Sequence, residues 1–308
     1  MINEETNSTS NRAPIVVLLI INHIPRLPQL AIESILLNSQ SDLIIGYVSD
    51  EDLKDLPSNP RISFIDLSDF AVALNVARKN GQYQSFDENS FFKLVQLKWK
   101  LFREVMKRNP DRNLVYSDID VFWVQDAAMV AELTFAEMKS VHLLVQNFTT
   151  NPSQPNLCMG FVAFRNCPDT LKLVDDCSAL HSELLLENPR AGDDDVISLY
   201  YKNMGYPQEI YQLPQSTYPV GNLINLFRRR SLYPGLVPST PYIYHSNFVV
   251  GVQRKFETAF LFYKNQNLPS SQFDFIQRVI IRFRIFIRFS LFYSRLAAKK
   301  ALRIFRSS

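Results

Sequence analysis

Short apolar runs alternate with amphipathic segments along the first 120 residues. The run at 15–21 is apolar throughout, and shorter strand-like runs lie at 43–48, 62–65 and 113–117. Apolar residues recur at helical spacing over 29–37 and form a broad stripe over 91–107. Buried strands separated by helices are typical of a mostly parallel sheet that is covered on both faces. The pattern therefore predicts an α/β fold.

The second half of the chain continues this alternation less regularly. The pattern predicts strands at 141–145 and 159–164, helices at 170–186, 194–201 and 250–263, and a short strand or turn at 242–245. Six prolines between 207 and 241 predict loops there. Because no linker divides residues 13–265, we expect them to form a single α/β domain.

Two carboxylates follow one of the predicted strands. Asp118 and Asp120 stand one residue apart where the apolar run at 113–117 ends. In strand geometry their side chains would project to the same side, about 7 Å apart. Ligands of open α/β sheets bind beyond the carboxyl ends of strands, and hard oxygen ligands favour Mg²⁺ or Mn²⁺. A divalent cation site is one interpretation, and a helix cap or turn is the other.

A second acidic group lies at 193–195, after Gly192 and before a predicted helix. Acidic residues at this position can cap a helix, but one aspartate is enough for a cap. Three in a row therefore indicate that at least one serves a site. His245 lies among aromatic and small polar residues, a context that by itself is typical of a hydrogen-bonded structural histidine.

Four sequence blocks occur in an order that resembles the nucleotide-diphospho-sugar transferase family, a group of GT-A-type glycosyltransferases that includes plant and algal α-galactosyl and α-xylosyl transferases. Together the blocks cover roughly residues 90–260. They are Lys98-Trp-Lys-Leu-Phe-Arg with Val115-Tyr-Ser-Asp-Ile-Asp-Val-Phe-Trp-Val-Gln-Asp126, then Leu157-Cys-Met-Gly-Phe-Val-Ala-Phe-Arg165, Gly192-Asp-Asp-Asp-Val-Ile-Ser198 and Tyr244-His-Ser-Asn-Phe-Val-Val-Gly251.

The resemblance implies a Rossmann-like GT-A domain and a site for Mn²⁺ or Mg²⁺. Asp120 would be a direct metal ligand, and Asp118 would contact the ribose of the nucleotide or a metal-bound water. His245 would be the third residue of the protein that binds the metal. The resemblance thus favours a ligand role over a structural role for this histidine.

The resemblance also implies which residues meet the donor. Lys100 would lie near the nucleotide, although the loop length leaves Lys98 open as the alternative, and Lys255 would face the diphosphate. Asp193 and Asp194 would lie near the donor sugar and the acceptor as catalytic carboxylates.

Three positions depart from the family pattern at the expected sugar end of the site. Cys158 and Ser198 stand where asparagine is usual, and Asp194 stands where glutamine is usual. The family implies that the anomeric configuration is retained, whereas the residue types alone fit either retention or inversion.

Charge is distributed unevenly along the chain. Residues 273–308 carry nine basic residues and one acidic residue, against 24 basic and 29 acidic residues in the first 272, so a body of charge −5 precedes a tail of +8. The tail at 275–306 contains no Gly or Pro, and its basic residues fall on one side of a predicted amphipathic helix. This pattern is typical of a helix that lies at a membrane surface.

The tail has two alternative interpretations. A terminal helix could pack on the body with its basic face in solvent, or it could contact nucleic acid. Phe and Ile on the opposite face argue against nucleic acid. The acidic N-terminus, with Glu4 and Glu5, is not typical of a secretion signal. We therefore expect a cytoplasmic protein, peripheral on the inner face of a membrane.

The sequence thus predicts a metal-dependent glycosyltransferase domain at 13–265 and a basic amphipathic helix at 273–306. The expected donor is a nucleotide-diphosphate sugar, such as a UDP-sugar, and the expected acceptor is a glycan or a lipid-linked intermediate in polysaccharide biosynthesis. A sugar nucleotidyltransferase is one alternative, although the segment after the first strand, Ile20-Ile-Asn-His-Ile-Pro, lacks a Gly-rich phosphate loop. A non-catalytic membrane-binding scaffold is the other alternative.

Overall fold

The computed structural model describes residues 13–22, 26–76, 89–149, 156–220 and 241–247, with Lys255 and ten positions between 279 and 294. The chain forms two compact units, 1–249 and 250–308. The predicted region limits, 13–265 and 273–306, stay predictions. The predicted helix at 250–263 and the tail helix lie mostly outside the described residues, although Lys255 and the described tail positions are helical.

A seven-stranded sheet forms the centre of the first unit. Its strands are β1 (Ile15–Ile20), β2 (Asp42–Tyr47), β3 (Ile62–Asp66), β4 (Leu114–Ser117), β6 (Leu143–Asn147), β7 (Leu157–Phe164) and β8 (Ile210–Leu213). The strand order is β3-β2-β1-β4-β7-β6-β8, and every neighbouring pair is parallel except the two that β7 makes with β4 and β6. The mostly parallel sheet is therefore confirmed. A separate two-stranded ribbon pairs β5 (Val121–Trp123) with β9 (Ile243–His245).

Helices cover both faces of the sheet. They are α1 (Leu27–Asn38), α2 (Ser68–Ala73), α3 (Asn89–Val95), α4 (Leu97–Arg108), α5 (Ala127–Glu137), α6 (Pro168–Glu187) and α7 (Asp193–Asn203). Alternate residues of β1 enter two separate cores: Val17 and Leu19 pack with residues of α4 and α6, whereas Val16 and Leu18 pack with residues of α1 and α5. The continuous apolar run of β1 therefore follows from burial on both faces.

The structure corrects three details of the predicted elements. The single helix expected at 91–107 is two helices, α3 and α4, with a turn at Gln96 between them. The region expected to be loops contains β8, a short strand with two half-buried residues and so a weak apolar signal. Helices α2 and α5 were not predicted; α2 is one and a half turns long, and α5 is apolar on most sides.

One irregularity in the sheet shapes the site described below. Val145 of β6 pairs with Val162 of β7, but the next residue, Gln146, pairs with Cys158. Residues 159–161 of β7 therefore bulge between two successive pairs. A bulge of this kind redirects side chains at the end of a strand.

Within the residues described, none of the helices has the length and apolar character needed to cross a bilayer.

Candidate active site

Three candidate metal ligands come together at the end of β4. The chain turns after Ser117, where the Asp118 N–H donates to the Gly160 carbonyl at 2.7 Å, and it continues into β5. Val121 of β5 pairs with His245 of β9, and the Ser246 N–H donates to the Asp120 carbonyl at 3.0 Å. The ribbon thereby joins the two ends of the candidate site.

The ligand atoms of this group fit one cation. One ligand atom each of Asp118, Asp120 and His245 lies within 4.8 Å of the others. The Nε2 atom of His245 is 3.5 Å from an Asp120 carboxylate oxygen, and both side chains are almost fully buried. Two carboxylates and an imidazole form a donor set that suits a divalent ion such as Mn²⁺. The structure thus brings the three predicted ligands together, and their role as ligands stays a prediction.

Glycine at position 160 makes room for the imidazole. A Cβ atom built on Gly160 would lie 2.0 Å from His245 Cε1 and 2.6 Å from its Nε2. Such contacts are shorter than any side chain tolerates, so the His245 ring can occupy its position only against a residue without a side chain. Gly160 lies in the bulge of β7, so the irregular strand and the buried histidine depend on one another.

A buried ion-pair network lies beside this cluster. The Lys98 ammonium is 2.6 Å from an Asp193 carboxylate oxygen and 3.0 Å from an Asp118 carboxylate oxygen. The Tyr116 hydroxyl donates to the same Asp118 oxygen at 2.6 Å, and the Lys98 ammonium lies 4.8 Å from the centre of the Tyr116 ring. Lys98 thereby links the carboxylate after β4 to the carboxylate at the start of α7.

Burial and charge act in opposite directions on Lys98. Burial alone would lower the pKa of its ammonium, but the carboxylates of Asp118 and Asp193 outweigh that effect and raise the pKa well above its ordinary value. Burial and the nearby Asp118 carboxylate also raise the pKa of Tyr116 well above its ordinary value. Both groups therefore keep their protons at neutral pH, as a donor network around carboxylates requires.

The sequence prediction placed Lys100 near the nucleotide and left Lys98 as the alternative. The structure favours Lys98, because Lys98 is the lysine in the carboxylate network. Lys100 is exposed, and its ammonium lies 5.9 Å from the centre of the Phe70 ring. Helical geometry separates the two residues by about 200° around α4, so they cannot point to the same site. Lys255 belongs to the second unit, and its place opposite the diphosphate stays a prediction.

The three consecutive aspartates of α7 have three different partners. Asp193 pairs with Lys98. Asp194 accepts a hydrogen bond from the Met159 N–H at 2.6 Å, and Asp195 accepts one from the Gly192 N–H at 2.9 Å. Asp195 therefore caps the helix, whereas Asp193 belongs to the buried network and Asp194 fixes α7 to the bulge of β7.

Burial and the neighbouring Asp193 carboxylate raise the pKa of Asp194 well above its ordinary value, and the Met159 hydrogen bond opposes them. The charge of Lys98 opposes this rise as well, so Asp118, Asp193 and Asp194 all interact with the same buried ammonium. A bound cation would further favour the ionised form of such carboxylates.

Two further residues that depart from the family pattern lie at β7: Ser198 of α7 contacts it, and Cys158 is part of it. The Ser198 hydroxyl accepts a hydrogen bond from the Leu157 N–H at 3.0 Å, one helical turn beyond Asp194. The Cys158 sulfur accepts from the Gly160 N–H at 3.5 Å and lies 3.7 Å from His245 Nδ1. Burial, followed by the charge of Asp194, raises the pKa of Cys158 well above its ordinary value, so the side chain stays a neutral thiol.

Sequence reasoning missed two residues of the site, Tyr116 and Gln146. Tyr116 could have been found, because it lies two positions before Asp118 and shares its side of the strand. Gln146 gave no signal, because its approach to His245, at 3.0 Å, depends on the irregular pairing of β6 with β7.

The fold is that of GT-A glycosyltransferases. Mouse xyloside xylosyltransferase 1 in its apo form is similar with a TM-score of 0.51 at 13% identity, over 77% of this chain and 99% of that chain. The galactosyltransferase LgtC, in complex with donor and acceptor sugar analogues, is similar with a TM-score of 0.50 at 12% identity, over 82% of this chain and 99% of that chain. No curated protein sequence matches the chain significantly.

The family model described as nucleotide-diphospho-sugar transferase matches residues 62–258, well over half of the chain. The chain therefore belongs to the nucleotide-diphospho-sugar transferase family. It is a glycosyltransferase that uses a nucleotide-sugar donor, as the sequence predicted. Enzymes with this fold generally depend on a divalent metal, and Asp118 with Asp120 forms a candidate Asp-x-Asp site for one.

Proposed function

We propose that this glycosyltransferase transfers a sugar from a UDP-sugar, with retention of the anomeric configuration, in a reaction that requires Mn²⁺ or Mg²⁺. The observation that carries the proposal is the convergence of Asp118, Asp120 and His245 next to the buried Lys98–Asp193 pair. The acceptor is a glycan or a lipid-linked intermediate.

Asp118, Asp120 and His245 would hold the ion. When bound, such an ion would supply positive charge that stabilises the negative charge of the diphosphate leaving group. Lys98 contributes a fixed positive charge within 3.0 Å of the Asp118 carboxylate, in a region with little access to water. Such preorganised charge is most effective where water is excluded.

The carboxylates at the start of α7 would act on the sugar. The Lys98 ammonium contacts one carboxylate oxygen of Asp193 and keeps that oxygen in a fixed position. A carboxylate near the anomeric carbon can stabilise positive charge on the sugar ring or attack it directly. We assign that role to Asp193 first, because the described contact of Asp194 is with the Met159 backbone.

Hydrolysis of a panel of nucleotide sugars, with and without Mn²⁺ or Mg²⁺, tests the donor and the metal. Asp120→Ala should abolish metal-dependent UDP binding in calorimetry while the fold survives. Asp126→Ala is a matched control, because Asp126 lies in the same segment but caps α5 through the Met129 N–H at 3.0 Å. Unchanged metal dependence in Asp120→Ala would remove the assignment of the metal site.

We further propose that the C-terminal segment binds the protein to an anionic membrane surface on the cytoplasmic side. Six apolar residues of this segment are helical and exposed, among them Phe283 at 63% and Phe286 at 68%. Arg282 and Arg284 on the same segment are exposed as well. Exposed Phe and Ile beside arginines are typical of helices that lie in the interface of a bilayer with anionic lipids.

A further inference from the structure

The environment of His245 determines which of its ring nitrogens carries a proton. Nδ1 lies 3.0 Å from the side-chain oxygen of Gln146, and both residues are buried. The amide nitrogen of Gln146 lies 3.3 Å from the carbonyl oxygen of Tyr218. A carbonyl oxygen accepts but never donates, so the amide nitrogen of Gln146 must face Tyr218 and its oxygen must face the imidazole.

That orientation of Gln146 requires a proton on Nδ1 of His245. An amide oxygen only accepts hydrogen bonds, so the bond to Gln146 is made only when Nδ1 donates. The other nitrogen, Nε2, points towards Asp120 at 3.5 Å. In neutral imidazole, protonation of Nδ1 leaves a lone pair on Nε2, which is the state that a metal ion requires.

A second buried histidine shows that the fold can impose the opposite state. The indole N–H of Trp99 donates to His181 Nδ1 at 3.0 Å, and His181 Nε2 lies 3.1 Å from the Ala191 carbonyl. Because an indole only donates and a carbonyl only accepts, the neutral His181 ring carries its proton on Nε2. Neighbouring groups thus select different tautomers of these two buried rings.

We propose that Gln146 is a positioning residue, which holds His245 in the Nδ1-protonated form and so keeps Nε2 ready for the divalent ion. The proposal rests on the proposed metal dependence of the enzyme. The bulge between β6 and β7 is what allows it: Gln146 pairs with Cys158 instead of continuing the register of Val145, and its side chain thereby reaches the ring.

The first test observes the tautomer directly in the metal-free protein. The chain contains four histidines, so the long-range ¹H–¹⁵N spectrum of their rings can be assigned with His245→Asn and His181→Gln variants. We expect His245 to be protonated on Nδ1 and His181 on Nε2. In Gln146→Leu, His245 should lose the preference for Nδ1 protonation while His181 is unchanged, because the Cys158 thiol, 3.7 Å from Nδ1, can donate to that nitrogen as well as accept from it.

The second test measures Mn²⁺ binding to the full chain by electron paramagnetic resonance of the free ion. Groups that orient a ligand histidine typically contribute about 10–100-fold to metal affinity, and we expect a loss of this size in Gln146→Leu. Gln146→Glu should restore both the tautomer and most of the affinity, because a buried carboxyl group that keeps its proton accepts from Nδ1 and donates to the Tyr218 carbonyl. Gln215→Leu is the matched control, because the Gln215 amide donates to the carbonyl of Asn147, the residue that follows Gln146 in β6.

The outcomes separate this inference from the proposed function. If the wild-type protein binds no Mn²⁺, the metal dependence fails whatever the tautomer. If Mn²⁺ binds and depends on His245, but Gln146→Leu changes neither the tautomer nor the affinity, the role of Gln146 fails alone. If Gln146→Leu melts at a much lower temperature, Gln146→Glu decides: loss of the tautomer and of Mn²⁺ affinity in that folded variant overturns the inference.

Discussion

Two lysines one residue apart have opposite surroundings. Lys98 is buried between two carboxylates, whereas Lys100 is exposed. Removal of one partner from a buried ion pair leaves the remaining charges without compensation, and this costs far more than loss of an exposed charge. The pair therefore allows a comparison within a single helix.

We expect Lys98→Met to lower the free energy of unfolding by about 3–5 kcal/mol and to abolish donor hydrolysis. Lys100→Met, the matched control, should change both quantities little. Urea unfolding and hydrolysis of the donor measure the two effects. If Lys100→Met were the inactive variant, the sequence-based assignment of the nucleotide-contacting lysine would be right and the one favoured by the structure would be wrong.

Gly160 offers a second comparison at the scale of one residue. Gly160→Ala would place a methyl group where the His245 ring lies, so the ring must move and Mn²⁺ affinity should fall by about tenfold or more. Gly192→Ala is the control, because a Cβ there would meet its nearest neighbour at an ordinary 3.8 Å. Retained Mn²⁺ affinity in Gly160→Ala would contradict the close packing of glycine and imidazole.

At the scale of elements, residues at the start of helix α7 have both structural and chemical roles. Asp195 caps the helix, Asp194 and Ser198 fix it to β7, and Asp193 holds Lys98. Sequence reasoning identified this turn as part of the site and recognised that one aspartate suffices for a cap. It could not assign Asp193 and Asp194 to their separate roles, because the partners of these two aspartates lie more than 30 positions away.

The aspartates of α7 should separate activity from stability. Asp193→Asn should lower kcat about 100-fold with a smaller change in donor affinity, since the lost interaction belongs to the transition state. Asp195→Asn should cost at most about 1 kcal/mol of stability and leave kcat unchanged. Steady-state kinetics and thermal melting distinguish them. Full activity with a lowered melting temperature in Asp193→Asn would make Asp193 a structural partner of Lys98 only.

Helices α4 and α6 and the start of α7 meet at His181, which provides a pH dependence. Burial lowers the pKa of His181, against the smaller opposing effect of its bond to Ala191. The unfolded chain therefore binds a proton first, so this histidine should reduce stability as the pH falls below about 6.5. His181→Gln can keep both hydrogen bonds without titrating. The urea midpoint should fall more steeply from pH 7.5 to 5.5 in the wild type than in this variant; parallel slopes would contradict the assignment.

At the scale of the whole molecule, sequence and structure agree on the sheet more than on the site. Strands β1, β2, β3, β4, β6 and β7 were predicted within two residues, because each contains several apolar residues in succession or near succession. Burial on both faces explains this for the inner strands, whereas β3, at the edge of the sheet, is largely exposed. The antiparallel direction of β7 was not predicted, since direction depends on pairing rather than on composition. The long-range contact of Gln146 with His245 likewise depends on the assembled sheet.

The basic and apolar residues of the tail predict that it binds anionic vesicles, whereas the body of the chain carries the opposite charge. In the full chain, Phe283→Ser with Phe286→Ser should weaken binding to anionic vesicles by removing apolar burial. Arg282→Gln with Arg284→Gln should weaken it by about 1 kcal/mol per residue, an effect that salt reduces. Co-sedimentation with anionic and neutral vesicles measures both. Equal binding of wild type and both variants would contradict a membrane role of the segment.

The ribbon of β5 and β9 also has a consequence for the order of events during synthesis. Val121 pairs with His245, and all seven strands of the main sheet precede β9 in the chain. At about 5–20 residues per second, roughly 6–25 s separate the emergence of the two partners from the ribosome. A nascent chain can therefore assemble its sheet while Asp118 and Asp120 still lack the imidazole. If the proposed cation binds to all three residues, tight binding has to wait until translation has passed His245.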